Sequence, residues 1–357
     1  MARVPDSRIG VACFGAGWVT THRHIPTMRR HGGFDVVALV DRRPERARTE
    51  AERVGVAHHE GAEGVDELSV RDRIQAVTVG TAPFAHHRVI RSALEAGKHV
   101  LTEKPFTMTV DEGQELVSLA GDRGLVLAVV HNFQFARSVV ELRRWLDAGR
   151  IGRVRAVWAI QLSNPARRLP TWFDELPFGL FYDESPHLIY MARALAGGDL
   201  EPVSVTVHPS TRGLEQTPAQ IDAQMRAGEI PVSIQMNFEA PVSEWHVSVL
   251  GDKGMGTVDL FRDIAVFTPN DGDHKALEVL RTSASTSWHH WRGYLRSGPG
   301  HMRGTLRYGN DEVFRRFHDA VVSGRPPTGI AADDAVAVLR IQHWILEAGG
   351  RILERHG

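Results

Sequence analysis

The 357-residue chain carries 42 Lys and Arg against 43 Asp and Glu, so no global field draws it to nucleic acid or to an anionic membrane, and neither is expected as a partner. Its 42% apolar and 24% charged content excludes the disordered classes and supplies enough chain for two cores. The single cysteine, Cys13, excludes an internal disulfide, and Met1 to Asp6 shows no basic run leading into an apolar one, so a reducing, cytoplasmic location is expected.

Arg8 to Phe14 reads as a buried strand running into Gly15-Ala16-Gly17-Trp18-Val19-Thr20. A G-x-G turn between a strand and a helix suits a phosphate: Gly15 permits the tight turn, Gly17 lets the backbone approach a pyrophosphate, and the helix offers its amides. Thr20 stands where a third Gly or Ala is usual. Phe34 to Val40 is the next strand and ends in Asp41, the acid expected about 20 residues on, placed to accept the hydroxyls of an adenosine ribose. That favours NAD. Arg42 and Arg43 either hold the 2′-phosphate of NADP or cover a solvated turn, and the second reading is preferred.

Pro44 to Val54 reads as a helix with Pro at N1 and Gly55 after its end. Ala76 to Gly80 is a strand, Phe84 to Ala96 a helix and His99 to Thr102 a strand that stops on Glu103-Lys104-Pro105. Only four lysines occur against thirty-eight arginines. A lysine at this strand end, where ligands of parallel sheets bind, therefore reads as a titratable amine and a candidate for the chemistry. Thr109-Val110-Asp111-Glu112 is a capping box, Leu125 to Val130 a strand, and Ser138-Val139-Val140-Glu141 a second box opening a helix that ends at Gly149.

Ser185 reads as an N-cap and Pro186 as N1 of a helix reaching Ala196, which puts His187 at N2. There the helix dipole disfavours imidazolium, leaving a neutral ring able to accept a proton, with Asp183 just upstream. From Val203 the apolar period becomes two, through Val232 to Phe238, Glu244 to Leu250, Gly256 to Leu260 and Ile264 to Thr268. Such a pattern predicts an open, mostly antiparallel sheet with helices on one face and a partner on the other. Thr282 to Ser287 and Trp288-His289-His290-Trp291 read as a loop or interface, and no metal site is expected there.

These motifs resemble the Gfo/Idh/MocA oxidoreductases from about residue 8 to 350. Gly15-Ala16-Gly17 leading to His24-Ile25-Pro26, the Thr81 to His86 loop, Ala93 to Val100 followed by Glu103-Lys104-Pro105, the Gly179, Asp183, His187 element and the Gly251 to Gly256 turn carry the likeness. Ser185-Pro186 departs from the small residues that usually precede the His. The resemblance implies a Rossmann domain over residues 1–130, doubly wound on a parallel sheet, and an α+β domain over 131–357 with a large open antiparallel sheet. It implies NAD, with NADP as the alternative, and a sugar, sugar-nucleotide or cyclitol substrate, while the uncovered face of the second sheet predicts a homodimer or homotetramer with that sheet at an interface.

Lys104, Asp183 and His187 are then the catalytic candidates. Gly15, Ala16, Gly17, Trp18, Val19, Asp41, Arg42, Thr81, His86, Glu103 and Lys104 would hold the cofactor. Asn132, Arg167, Arg168 and Trp172 would join Lys104, Asp183 and His187 around the substrate, with one of the two arginines meeting a phosphate or carboxylate. An NAD-dependent glycosidase and a non-catalytic sugar sensor are rival readings within the family, and the retained Lys104, Asp183 and His187 argue against the sensor.

Overall fold

The computed structural model describes residues 8–167, 169–214 and 216–356. Six parallel strands form the first sheet: β1 (Ile9–Phe14), β2 (Phe34–Val40), β3 (His59–Glu60), β4 (Ala76–Val79), β5 (His99–Thr102) and β6 (Leu127–Val129), in the order β3-β2-β1-β4-β5-β6. Every residue of β1 and β4 is buried, as strands covered on both faces must be. The connecting helices are α1 (Ile25–His31), α2 (Pro44–Val54), α3 (His86–Glu95) and α4 (Val110–Asp122). Pro44 opens α2 and Gly55 closes it in the left-handed region at φ 67°. The Thr109 hydroxyl accepts from Glu112 N–H, and the Glu112 side chain returns the bond, so the box is made as read. Strand order reverses at β1 and β4, which places a ligand crevice beyond their carboxyl ends.

The second sheet has seven strands: β7 (Val154–Leu162), β8 (Glu201–His208), β9 (Gln220–Ala227), β10 (Ile230–Asn237), β11 (Glu244–Gly251), β12 (Gly254–Asp259) and β13 (Ile264–Pro269). Their order is β13-β12-β11-β7-β10-β9-β8, with β7 and β10 parallel and the remaining pairs antiparallel. Alternate residues such as Val247, Val249, Val232 and Ile234 are buried, and α5 (Arg137–Asp147) and α6 (Leu180–Ala196) pack on the sheet. A 27-residue helix, α7 (Ala276–Met302), runs along β13.

The chain divides into two compact units, the first reaching His131 and taking back Asn310–Leu339, which the sequence reading assigned to the second domain. The returning segment is α8 (Asn310–Ser323) and the start of α9 (Ala332–His356). Phe314 of α8 sets its ring against His24 and Phe34, and Ala332, Ala335, Val336 and Leu339 enter the core of the first unit. No helix among the described residues is long and apolar enough to cross a membrane.

Three local expectations are corrected. Ser138 does not cap α5, which begins at Arg137; Asp263, at the β12–β13 turn, accepts the Ser138 N–H at 2.8 Å and supplies the cap from elsewhere in the unit. The segment Thr282 to Trp291 is no loop but the middle of α7. The helix expected to start at Pro186 starts at Leu180, so His187 lies in its second turn rather than at N2, and the dipole argument for its charge state falls. A mid-helix proline lacks the N–H that would bond the carbonyl four residues back. In α6 that carbonyl, on Tyr182, accepts from Gln342 Nε2 at 2.7 Å instead, and Gln342 also donates to Ser185 Oγ at 2.9 Å.

Candidate active site

Ladder bonds bring the cofactor candidates to one edge of the first sheet. Gly15 N–H donates to Val40 O, Gly80 N–H to Phe14 O and Glu103 N–H to Val79 O, each at 2.8 Å. Residues 15, 41, 80 and 103 therefore leave neighbouring strands side by side. Gly15 sits at φ 90°, and a Cβ there would fall 2.6 Å from the Gly80 carbonyl, so the loop closes against β4 only because position 15 has no side chain. A Cβ at Gly80 would collide with Thr20 Oγ1, so the threonine in the third position is accommodated by a glycine opposite.

Asp41, with a tenth of its side-chain area exposed, accepts Ala16 N–H at 3.1 Å and Arg43 N–H at 3.0 Å. Its carboxylate thus braces the glycine loop while standing at the end of β2. Arg42 lies exposed at the turn. The guanidinium that reaches the loop belongs instead to Arg46, whose Nε donates to Ala16 O at 3.1 Å and lies 3.9 Å from Asp41 Oδ2. Sequence reasoning missed Arg46, although its place in the first turn of α2 was the available signal. Trp18 is 41% exposed and stacks on His22 at 5.3 Å, with Val19 beside it half-buried. The Thr20 and Thr81 hydroxyls are buried and have no hydrogen-bond partner. Loop, carboxylate and two unsatisfied hydroxyls at a switch point fit an adenine dinucleotide.

Lys104 follows β5, half-buried, and its N–H donates to Glu103 Oε2 at 3.3 Å. Glu103 also bonds His24 Nε2 at 2.9 Å, so the two runs that the family likeness singles out meet in the first unit. His86 is buried rather than presented to a ligand. Its Nδ1 bonds the Pro105 carbonyl at 2.8 Å and its Nε2 faces the Thr81 carbonyl at 3.2 Å, while burial pushes its pKa below the usual value. We assign it to tying the Thr81 loop to the turn after Lys104, not to direct cofactor contact.

In the second unit Asp183 and His187 lie one turn apart on α6, and both are nine-tenths buried. His187 Nδ1 bonds the Tyr190 hydroxyl at 2.8 Å, and that hydroxyl accepts Phe133 N–H at 3.0 Å. Rings of Phe133 at 4.5 Å and Trp245 at 5.6 Å hold the imidazole plane. Tyr190 was not foreseen, though its i+3 spacing from His187 places it on the same face. Asn132 is buried, its Nδ2 donating to Tyr308 O at 3.0 Å. Trp172 is partly exposed before a short turn.

Arg167 does not present an open cation. Glu184, buried next to Asp183, binds its Nη2 at 2.6 Å and also accepts from Gln161 Nε2. The pair neutralises itself, which weakens the case for Arg167 as a phosphate contact; Arg168 lies outside the described residues. One further group of possible metal ligands among the described residues, Glu244, His246 and Asp259, is bridged by Arg262, at 2.5 and 2.6 Å to Glu244. That guanidinium holds Glu244 below the usual carboxylate range and supplies the charge a metal would bring.

Comparison with known proteins bears on these arrangements. The model of an oxidoreductase family with an NAD-binding Rossmann fold, Gfo/Idh/MocA, matches residues 9–131, and the model of the Gfo/Idh/MocA C-terminal domain matches residues 139–257. The chain is 29% identical over 340 residues to a dTDP-3,4-didehydro-2,6-dideoxy-alpha-D-glucose 3-reductase from Streptomyces violaceoruber, covering 93% of this chain and 92% of the relative. Among solved structures, a protein from gentamicin A biosynthesis in complex with NAD aligns with TM-score 0.76 and 22% identity, over 98% of this chain and 95% of that one. A 3-ketoreductase from Actinomadura kijaniata in complex with TDP-benzene and NADP aligns with TM-score 0.72 and 21% identity, over 96% and 97%. At such identity the structural likeness speaks for the fold alone. With both family models matching in order over more than half of the sequence, the chain belongs to the Gfo/Idh/MocA family of NAD(P)-binding oxidoreductases.

Proposed function

We propose that the protein is a dehydrogenase or ketoreductase acting on a secondary alcohol or ketone of a sugar nucleotide, with Lys104, Asp183 and His187 as its catalytic residues. The observation that carries the substrate class is the end-to-end relative named for reducing the 3-keto group of a dTDP-sugar. When bound, the dinucleotide supplies or takes the hydride. In the reducing direction the carbonyl oxygen gains negative charge and must receive a proton. The Lys104 ammonium hydrogen-bonds that oxygen and His187 transfers the proton, with Tyr190 fixing the imidazole and Asp183 supporting it. Neutral cyclitols are the competing class. A screen of nucleotide-linked sugars, sugar phosphates and cyclitols, read by nicotinamide absorbance, tests this; the highest kcat/KM is expected for a nucleotide-linked sugar. A preference for a free cyclitol would refute the assignment. Self-association into a homodimer or homotetramer belongs to the same proposal.

Cofactor preference follows from Asp41. A carboxylate that accepts the Ala16 N–H repels a 2′-phosphate, so NAD is expected to bind tenfold or more tighter than NADP, about 1.4 kcal/mol. Asp41→Ser should narrow or invert that ratio, because Arg43 and Arg46 stay close to the vacated position. Titration of both dinucleotides against wild type and variant decides it, and tighter NADP binding by the wild type contradicts it.

A further inference from the structure

Helix α7 has a packed side of small and polar residues and an opposite, exposed side of large apolar ones. One side packs on α5 and the second sheet: His289 sets its ring against Trp145 of α5 at 5.2 Å, Ser285 Oγ donates to Phe267 O of β13 at 3.3 Å, and Ser297 is buried. A Cβ at Gly293 would meet Ile264 at 2.8 Å, so this face lies close on β13. About half a turn away, Leu277, Leu280, Trp288, Trp291, Leu295 and Met302 recur at helical spacing and are between 61% and 91% exposed. Tyr294 flanks them at 53%.

With roughly 150–250 Å² on each large side chain, this stripe leaves on the order of 800 Å² of apolar surface open. Monomers rarely expose a contiguous patch beyond about 300–600 Å², whereas each partner of a standard interface buries about 800 Å².

The spacing identifies the occupant. A twofold axis crossing the helix between His289 and His290 brings Trp288 opposite Trp291, Ala284 opposite Leu295 and Leu277 opposite Met302. The charges comply, since the same axis sets Arg281 opposite Gly298, Arg292 opposite Ser287 and Arg296 opposite Ser283, and Glu278 opposite His301. A self-complementary patch of this kind is what a twofold interface requires. We propose that the exposed face of α7 packs antiparallel against α7 of a second copy of this chain, with the two tryptophan pairs at the centre. The proposal is independent of the reaction assigned above.

The full-length chain with Trp288→Glu and Trp291→Glu, both on the solvent side and away from the packed face, is compared with wild type by light scattering at micromolar concentration, with circular dichroism to confirm folding. The molar mass is expected to halve, whether the wild type is a dimer or a tetramer. An unchanged mass overturns the proposal. Should the double variant fail to fold, Ala284→Cys and Leu295→Cys chains are mixed with a short bis-maleimide: cross-linking in the mixture and not in either alone is expected, and cross-linking of Ala284→Cys alone overturns the antiparallel register. Wild-type protein that is monomeric and binds anionic phospholipid vesicles, with a blue shift in tryptophan emission, assigns the stripe to a membrane surface and overturns the proposal as well.

Discussion

Lys104→Met is expected to lower turnover by about 10²–10⁴-fold, the usual worth of a positioned proton-handling group, while NAD affinity changes little. The two halves of this expectation come from different residues. Gly15 and Asp41, the proposed dinucleotide cradle, leave β1 and β2 and are held by Val40 O, which accepts Gly15 N–H, and by Ala16 and Arg43, whose N–H groups donate to Asp41. Lys104 itself follows β5, positioned by Glu103 and by the His86 bond to Pro105. On the proposed assignment, removing its ammonium withdraws charge from the reacting oxygen and leaves the cradle in place. Such a change lowers kcat and kcat/KM together. Stopped-flow hydride transfer with calorimetric NAD titration separates the effects; near-normal turnover, or a loss of affinity equal to the loss of rate, removes Lys104 from the chemistry.

His187→Ala should cost about as much, 10²–10⁴-fold, and should change the shape of the pH profile. In the oxidising direction, where His187 must accept the alcohol proton, the wild type is expected to show a limb that requires one deprotonated group in the complex, and the variant to lose it. Tyr190→Phe gives the intermediate case: it removes the hydroxyl that bonds Nδ1 at 2.8 Å but leaves the Phe133 and Trp245 rings around the imidazole. A partial loss of kcat with the limb retained but displaced is the expected result. An alanine variant at His187 with an unaltered pH profile would transfer the proton step to Lys104.

The parts of the first unit that bear on the site were legible because parallel strands covered on both faces read as short apolar runs, and because glycine and proline punctuate them. Phe34–Val40 and His99–Thr102 appear in the structure with the bounds read from sequence. What was not legible depends on partners distant in sequence. Ser185-Pro186 is a good local helix start, yet Phe181 and Tyr182 are fully buried and Gln342 satisfies the carbonyl that Pro186 leaves open, so the helix extends upstream. Ser138 to Glu141 matches a capping box, but Asp263 provides the cap and Glu141 pairs with Arg144 and Arg292. Strands β7 and β9 went unread, although β7 is central: Ala156 to Ile160 of β7 is an apolar run without alternation, and β9 alternates regularly but two of its four buried residues are alanines, a weak mark of a strand. Helix α7 carried no helical signal for a different reason: Gly293, Gly298, Pro299 and Gly300 are poor helix formers, and Thr282 to Ser287 has no large apolar residue to mark a face.

Cys13 has a use that its inertness creates. It is the only thiol in the chain, fully buried in β1 between Leu39 of β2 and Thr78 of β4, and burial pushes its pKa up to about 12. A thiol-reactive dye can label it only after the packing that covers that face of the sheet has opened. Labelling kinetics under native conditions therefore time that opening in the unmodified protein, without any engineered reporter. The same clock distinguishes a variant that has lost its chemistry from one that has lost its fold: Lys104→Met should take up dye no faster than wild type, whereas a side chain forced onto position 15 should shorten the wait.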